Sequence, residues 1–221
     1  MTAFETGDRA GFINGIRRAT AAKHDHGLRP VTPLPPEGVP EVDYVGEPDF
    51  ATALGALGGV VRDIDDADVL TTFVNDALDA AKGDKAAVRV ALTNEPECAA
   101  VAYALGGRDD VVLVDFTDAA AIATADVGFT GARAAVARTG SLVVDTERAG
   151  GRTVSLLPPM HVALVRAERI LREPGHLWRL MESPMPSNLV QITGPSRSAD
   201  IELVITLGVH GPRTLWVGLL L

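Results

Sequence analysis

From Asp49 onward, short apolar runs take turns with helical patterns, and this alternation limits the fold more than any other feature of the sequence. VVRDI (60–64), AVRVAL (87–92) and VVLVDF (111–116) are short, mainly apolar runs that look like buried strands. FATALGALG, DVLTTFVNDALDAA and EPECAAVAYALG carry the alanine, the leucine and the 3.6-residue spacing of helices. A βαβαβ series of this kind needs crossover connections, and crossovers join parallel strands. The expected fold class is therefore α/β: a Rossmann-like mixed, mainly parallel sheet flanked by helices. No G-x-G-x-x-G follows the first strand and no G-x-x-x-x-G-K-[ST] occurs, so nucleotide binding by those devices is unsupported.

The middle of the chain, 126–166, changes character. Glycine and turn signals break it into short runs, of which SLVVD, TVSLL and HVALVRA read as strands. Their connections are too short for helical crossovers, so an insertion with antiparallel pairs is expected here. The last stretch reads as strand (LVQIT), helix (SADIELVITLG) and final buried strand (RTLWVGLLL). Ahead of all this lie an amphipathic pattern with Phe12, Ile13 and Ile16, and a segment holding six of the 14 prolines between Pro30 and Pro48. Proline lacks the donor that helices and sheets use, so this segment reads as an extended arm. The expected division is an arm over 1–48 and an α/β domain over 49–221.

Charge and cysteine content exclude several functions. With 29 acidic and 20 basic side chains the net charge is −9, which argues against neutralising nucleic-acid phosphates or anionic lipid heads. The imbalance is concentrated before residue 116, where 20 acidic face 10 basic residues, so an anion site is expected in the nearly neutral second half. Cys98 is the only cysteine, which excludes an internal disulfide and a cysteine-ligated zinc or iron–sulfur centre within one chain. The N-terminus lacks a continuous apolar core, and LWVGLLL (215–221) is far shorter than a membrane helix, so a cytosolic protein without membrane insertion is expected.

The strongest local candidate for chemistry is ITGPSRSADIE, 192–202. Read as a strand entering a helix, it presents Gly194, Pro195, Ser196, Arg197 and Ser198 at the turn. Ser196 and Ser198 would cap free N–H groups, and Asp200 and Glu202 would suit the positive end of the helix dipole. The same hydroxyls and guanidinium would equally hold a carboxylate or phosphate. Asp200, Glu202 and His210 are the acid/base candidates, with His210 in the GVHGPR loop beside Gly211. Thr139, Gly140 and Ser141 form a second polar turn, and His161 follows two prolines at the start of a strand. His24-Asp25-His26 lacks a third nearby ligand, so no metal site is expected.

ADVGFTGARAAVARTGSLVVD, SLLPPMHVALVRAERI and ITGPSRSADIELVITLGVHGPR together resemble the lactate-utilisation protein C family of LUD-domain proteins, in order and over about 49–221. That resemblance implies a fold like that of the ribose-5-phosphate isomerase, glucosamine-6-phosphate deaminase and CoA-transferase group. It also implies a place in a three-protein system oxidising L-lactate to pyruvate, whose partner proteins carry the iron–sulfur clusters while this chain binds no cofactor. A small carboxylate or phosphate ligand and a homo-oligomer fit this expectation. The alternative is a free-standing enzyme of sugar-phosphate isomerase or CoA-transferase type, and fold-level analogy alone supports it.

Overall fold

The computed structural model describes residues 49–106, 108–146, 151–180, 188–199 and 205–221. The helical pattern of 4–20, the proline arm, His24-Asp25-His26, Asp200 and Glu202 lie outside the described residues.

The expected alternation forms as read. Helix α1 (Phe50–Ala56) leads to β1 (Val60–Ile64), α2 (Ala67–Lys82), β2 (Val88–Leu92), α3 (Ala99–Leu105) and β3 (Val111–Val114). Helix α2 shows why its sequence is helical. Asp66 caps it by accepting the Val69 N–H at 2.8 Å, Asp68 and Lys82 suit its dipole, and Leu70, Phe73, Val74, Ala77 and Leu78 recur on one buried face.

After β3 come α4 (Ala119–Ile122), β4 (Val127–Gly131), β5 (Ala134–Val136), β6 (Ser141–Asp145), α5 (Thr153–Leu156) and β7 (Met160–Arg166). The rest is β8 (Ile170–Leu171), α6 (Leu177–Leu180), β9 (Leu189–Ile192), β10 (Arg197–Ala199), β11 (Ile205–Leu207) and β12 (Thr214–Leu220). Six strands make a sheet in the order β1-β12-β7-β4-β2-β3, and every neighbouring pair is parallel. A second sheet, β8-β5-β6-β9, contains the expected antiparallel pairs β5–β6 and β6–β9.

Both faces of the main sheet are covered at its central strands β7, β4 and β2, whereas the edge strands β1 and β3, expected to be buried, are partly open, with Val60 40%, Val112 41% and Leu113 60% exposed. On one face Phe73, Val74 and Leu78 of α2 and Val101 of α3 pack on Val90, Phe129, Val162 and Leu164. On the other, Phe50 and Leu54 of α1 and Leu142 of the second sheet meet Ala163, Val165, Leu215 and Val217.

Two expectations are corrected. TVSLL is not a strand: Thr153–Leu156 is a single helical turn that places Val154 against Ala91 and Ile122, and Pro158 stands just beyond it. A short apolar run carries no period that separates the two states. The described ends of SADIELVITLG depart from the expected helix, and 200–204 lie outside the described residues. Those ends are strands, with Arg197, Ser198 and Ala199 paired antiparallel to Leu207, Thr206 and Ile205. The β-branched Ile205 and Thr206 suit a strand, and Gly208, at φ +76°, turns the chain where a helix end was expected. Among the described residues Ser196 and Ser198 therefore cap no helix, Ser198 lying within a strand.

Candidate functional site at the carboxyl edge of the sheet

Strand order locates the crevice. From β2 the chain moves outward to β3, then returns past β2 to β4, β7 and β12, so the winding reverses between β2 and β4. In open α/β sheets ligands bind outside the carboxyl ends of the strands at such a reversal. The segment leaving β2 there is Thr93-Asn94-Glu95-Pro96-Glu97-Cys98, which closes in the 3₁₀ turn Pro96–Cys98.

This segment crosses the end of β4. The Glu95 carboxylate accepts the Gly131 N–H at 2.6 Å and the Thr93 hydroxyl at 2.9 Å, and the Thr93 hydroxyl also lies 3.2 Å from the Phe129 carbonyl oxygen. The approach to residue 131 is close. A Cβ there would stand 3.1 Å from the Glu95 Cβ and Cδ and from Glu97 Oε2. Glu97 reaches farther, to the end of β7, where its Oε1 lies 3.4 Å from Arg166 Nε and 3.3 Å from Arg169 Nη1. The Glu97 side chain is 4% exposed, whereas those of Arg166 and Arg169 are 44% and 35% exposed. Cys98 is buried beneath, with Sγ 3.5 Å from the Thr93 hydroxyl, and burial pushes its thiol up to about 12.

The residues singled out in the sequence fall elsewhere. Antiparallel pairing of Leu142 with Ile192 puts Ser141 beside Thr193, and their hydroxyls meet at 2.7 Å. Thr139 bonds Ser141 at 2.7 Å, so the two polar turns do come together. They pack against α1 and the turn that follows it. Gly140, at φ +62°, leaves a would-be Cβ only 2.5 Å from the Leu54 nitrogen, Gly194 leaves one 3.1 Å from Leu57 Cβ, and Arg197 Nη2 donates to the Leu57 carbonyl at 2.5 Å. Arg197 thus holds a carbonyl just past a helix end, a common use of a basic side chain.

Ser196 ties the hairpin base, donating its N–H to the Pro212 carbonyl and accepting the Gly208 N–H. Gly211 packs beside it, with a would-be Cβ 3.3 Å from Ser196 Cβ, and Pro195 precedes it in the same turn. Ser198 pairs with Thr206 within β10 and β11, and His210 is exposed in the loop that follows. His161 is fully buried on β7, with Nε2 2.9 Å from the Thr130 hydroxyl and Nδ1 without a partner among the described residues. Burial lowers its pKa to about 4, so the ring is neutral at pH 7.

Sequence reasoning passed over Glu95, Glu97, Arg166 and Arg169. A usable signal was present, because TNEPE (93–97) directly follows a predicted strand and such loops line the carboxyl edge. A cavity of about 210 Å³, lined by Lys85, Asp126, Met160, Arg213 and Trp216 among others, opens at the opposite, amino ends of β7 and β12, away from this cluster. Among the described residues no group of three or more His, Cys, Asp or Glu is placed to hold a metal ion.

Fold and cluster together define an α/β protein with a parallel six-stranded sheet, a second mixed sheet, and a charged carboxyl edge at the winding reversal. Residues 110–220, just over half of the chain, match the LUD domain family, and the chain belongs to that family. Glu95 and Glu97 precede the matched segment; Gly131, Arg166 and Arg169 lie within it. The chain is similar to an uncharacterized protein of Neisseria meningitidis serogroup B, with 41% identity over 41% of this chain and 40% of that one. It is also similar to lactate utilization protein C of Anoxybacillus flavithermus (38% identity; 48% and 50% of the two chains) and of Bacillus subtilis (36%; 40% and 39%). The matches thus span half or less of these curated relatives. A DUF162 family protein from Deinococcus radiodurans shares the fold, with a TM-score of 0.54, 23% identity, and 77% of this chain and 93% of that chain covered.

Proposed function

We propose that this chain serves lactate utilisation as a component without a redox cluster of its own, binding a small carboxylate while iron–sulfur partner proteins carry electrons. The observation that carries the reading is the similarity, at 33–39% identity, to relatives named lactate utilization protein C. The single, buried Cys98 supports the division of labour, because thiolate-ligated clusters need several cysteines. Two guanidiniums at the carboxyl edge of the sheet support a carboxylate ligand, since Arg is suited to bidentate recognition of carboxylates. Under this reading the protein works in the cytosol beside its partners. Among the described residues no helix is long and apolar enough to cross a membrane.

Deleting the gene in the host should abolish or slow growth on L-lactate while leaving growth on pyruvate intact, and a gentle pull-down of the tagged full chain should retain iron-containing proteins. Undiminished growth on lactate together with a pull-down free of iron–sulfur proteins overturns the reading.

A further inference from the structure

We infer that the cavity at the amino ends of β7 and β12 is a binding site for a small arylcarboxylate, a flat apolar body with a single negative charge. It stands at the opposite ends of the strands from Glu97, and the inference does not depend on a role in lactate utilisation. The first support is size and lining. The cavity measures about 210 Å³. An apolar cavity of about 150 Å³ admits a benzene ring, whereas pockets for drug-sized ligands start at about 300 Å³, so a ring with one carboxylate is the size that fits. The apolar wall comes from Ala80 and Ala81 in the last turn of α2, from Pro159 and Met160 where β7 begins, and from Trp216 on β12. Packing of Trp216 on Phe73, with ring centroids 5.9 Å apart, anchors the indole. An aromatic ligand gains from an indole and a thioether more than an aliphatic acid of equal size.

The second support is the polar part of the lining, whose uncommitted groups are donors. Lys85 and Asp126 form an ion pair through one Asp126 oxygen, and the other oxygen accepts the Arg89 N–H at 2.8 Å. Arg213 is exposed, and its guanidinium makes no hydrogen bond or ion pair among the described residues. The same holds for the Thr214 hydroxyl and the Trp216 indole N–H. The Arg213 stem lies against Gly208, where a would-be Cβ stands 2.1 Å from Arg213 Cγ, so the bare glycine leaves that side chain its place at the cavity wall. One uncommitted positive charge with neutral donors beside it matches a carboxylate, which accepts two parallel N–H bonds from a guanidinium. A phosphate ester, with a charge of about −1.5 to −2 at pH 7, would leave charge unmatched next to Asp126. With Lys85 and Asp126 tied to each other, no lining residue is a free acid or base, so the ligand is held here without being transformed.

The test follows tryptophan fluorescence of the full chain carrying Trp178→Phe, which leaves Trp216 as the sole reporter of the two tryptophans. The titrants are sodium benzoate, acetate, benzyl alcohol and phenyl phosphate. Benzoate is expected to give a saturable change. Acetate lacks the ring and benzyl alcohol lacks the charge, so each should bind at least about tenfold more weakly, and phenyl phosphate should also bind more weakly than benzoate. Arg213→Gln should weaken benzoate binding about tenfold or more, the loss of one charge-assisted pair. Ala80→Leu, at an exposed position of α2 and between two strong helix formers, should weaken it as much by filling the cavity with the charge left in place. This variant keeps the test decisive should Arg213→Gln fail to fold. No saturable change with benzoate, acetate or benzyl alcohol bound as tightly as benzoate, phenyl phosphate bound more tightly, or benzoate affinity unaltered by Arg213→Gln or Ala80→Leu overturns the inference.

Discussion

Two buried side chains, His161 and Cys98, show how residue type and burial together set chemistry. His161 is polar by composition, yet it sits fully buried between layers and is held neutral with a pKa of about 4. In the unfolded chain it takes up a proton below about pH 6.5, so between pH 6.5 and 4 the unfolded state binds more protons and stability falls as the pH is lowered. This group alone should remove about 2 kcal/mol between pH 7 and pH 5. Urea unfolding of wild type and His161→Leu at both pH values checks it: the variant should lose about that much less on acidification, and an equal loss in both proteins would refute the assignment. Cys98 is buried against Thr93 with its thiol pushed up to about 12, so the reactive thiolate is scarce at neutral pH. A thiol reagent added to the native protein at pH 7.5 should therefore label nothing until denaturant is added, and rapid native labelling would contradict this. Of the site residues, Gly194, Ser196 and Arg197 were legible as a polar turn, but the sequence alone could not say that Arg197 would be spent on the Leu57 carbonyl.

Among the elements, the ones read correctly are those whose period is long or whose burial is complete. Helix α2 repeats its apolar face from Leu70 to Leu78 and carries a cap, and β6 and β7 hold the buried apolar runs Leu142–Val144 and Val162–Val165. Strand β4, VGFTG, carries two glycines that weaken any strand signal, yet all five of its residues are buried at the centre of the sheet. The stretch 197–207 mixes helical spacing with β-branched residues, and cross-strand pairing decided between them. The turn between β5 and β6 is equally dependent on its neighbours. Gly140 has φ +62° and lies directly under the backbone of α1, so Gly140→Ala adds left-handed strain to a collision with the Leu54 nitrogen. It should cost upward of about 2 kcal/mol and lower the unfolding midpoint. A Gly140→Ala variant as stable as wild type would show that α1 packs differently.

For the whole molecule, covering both faces of the parallel sheet makes the core a single cooperative unit. Phe73 lies at its centre, fully buried and with its ring centroid 5.9 Å from that of Trp216. Phe73→Ala should destabilise the fold by about 3–5 kcal/mol through lost burial and an unfilled cavity, read as a shift in denaturant midpoint at unchanged m. A loss below about 1 kcal/mol would mean that the helical layer is not part of the cooperative core. The sequence by itself determined the α/β class, the parallel half of the fold, the order of its helices and strands from 49 to 116, and the lack of a thiolate set. Those properties are written in local periodicity and in residue counts. Only the tertiary structure decided that 197–207 pairs as a hairpin at its described ends, that the two polar turns close on α1, and that Glu97 meets Arg166 across 69 positions of chain. Such a meeting depends on strand order and on the space left by Gly131, neither of which is expressed in the residues adjacent to it.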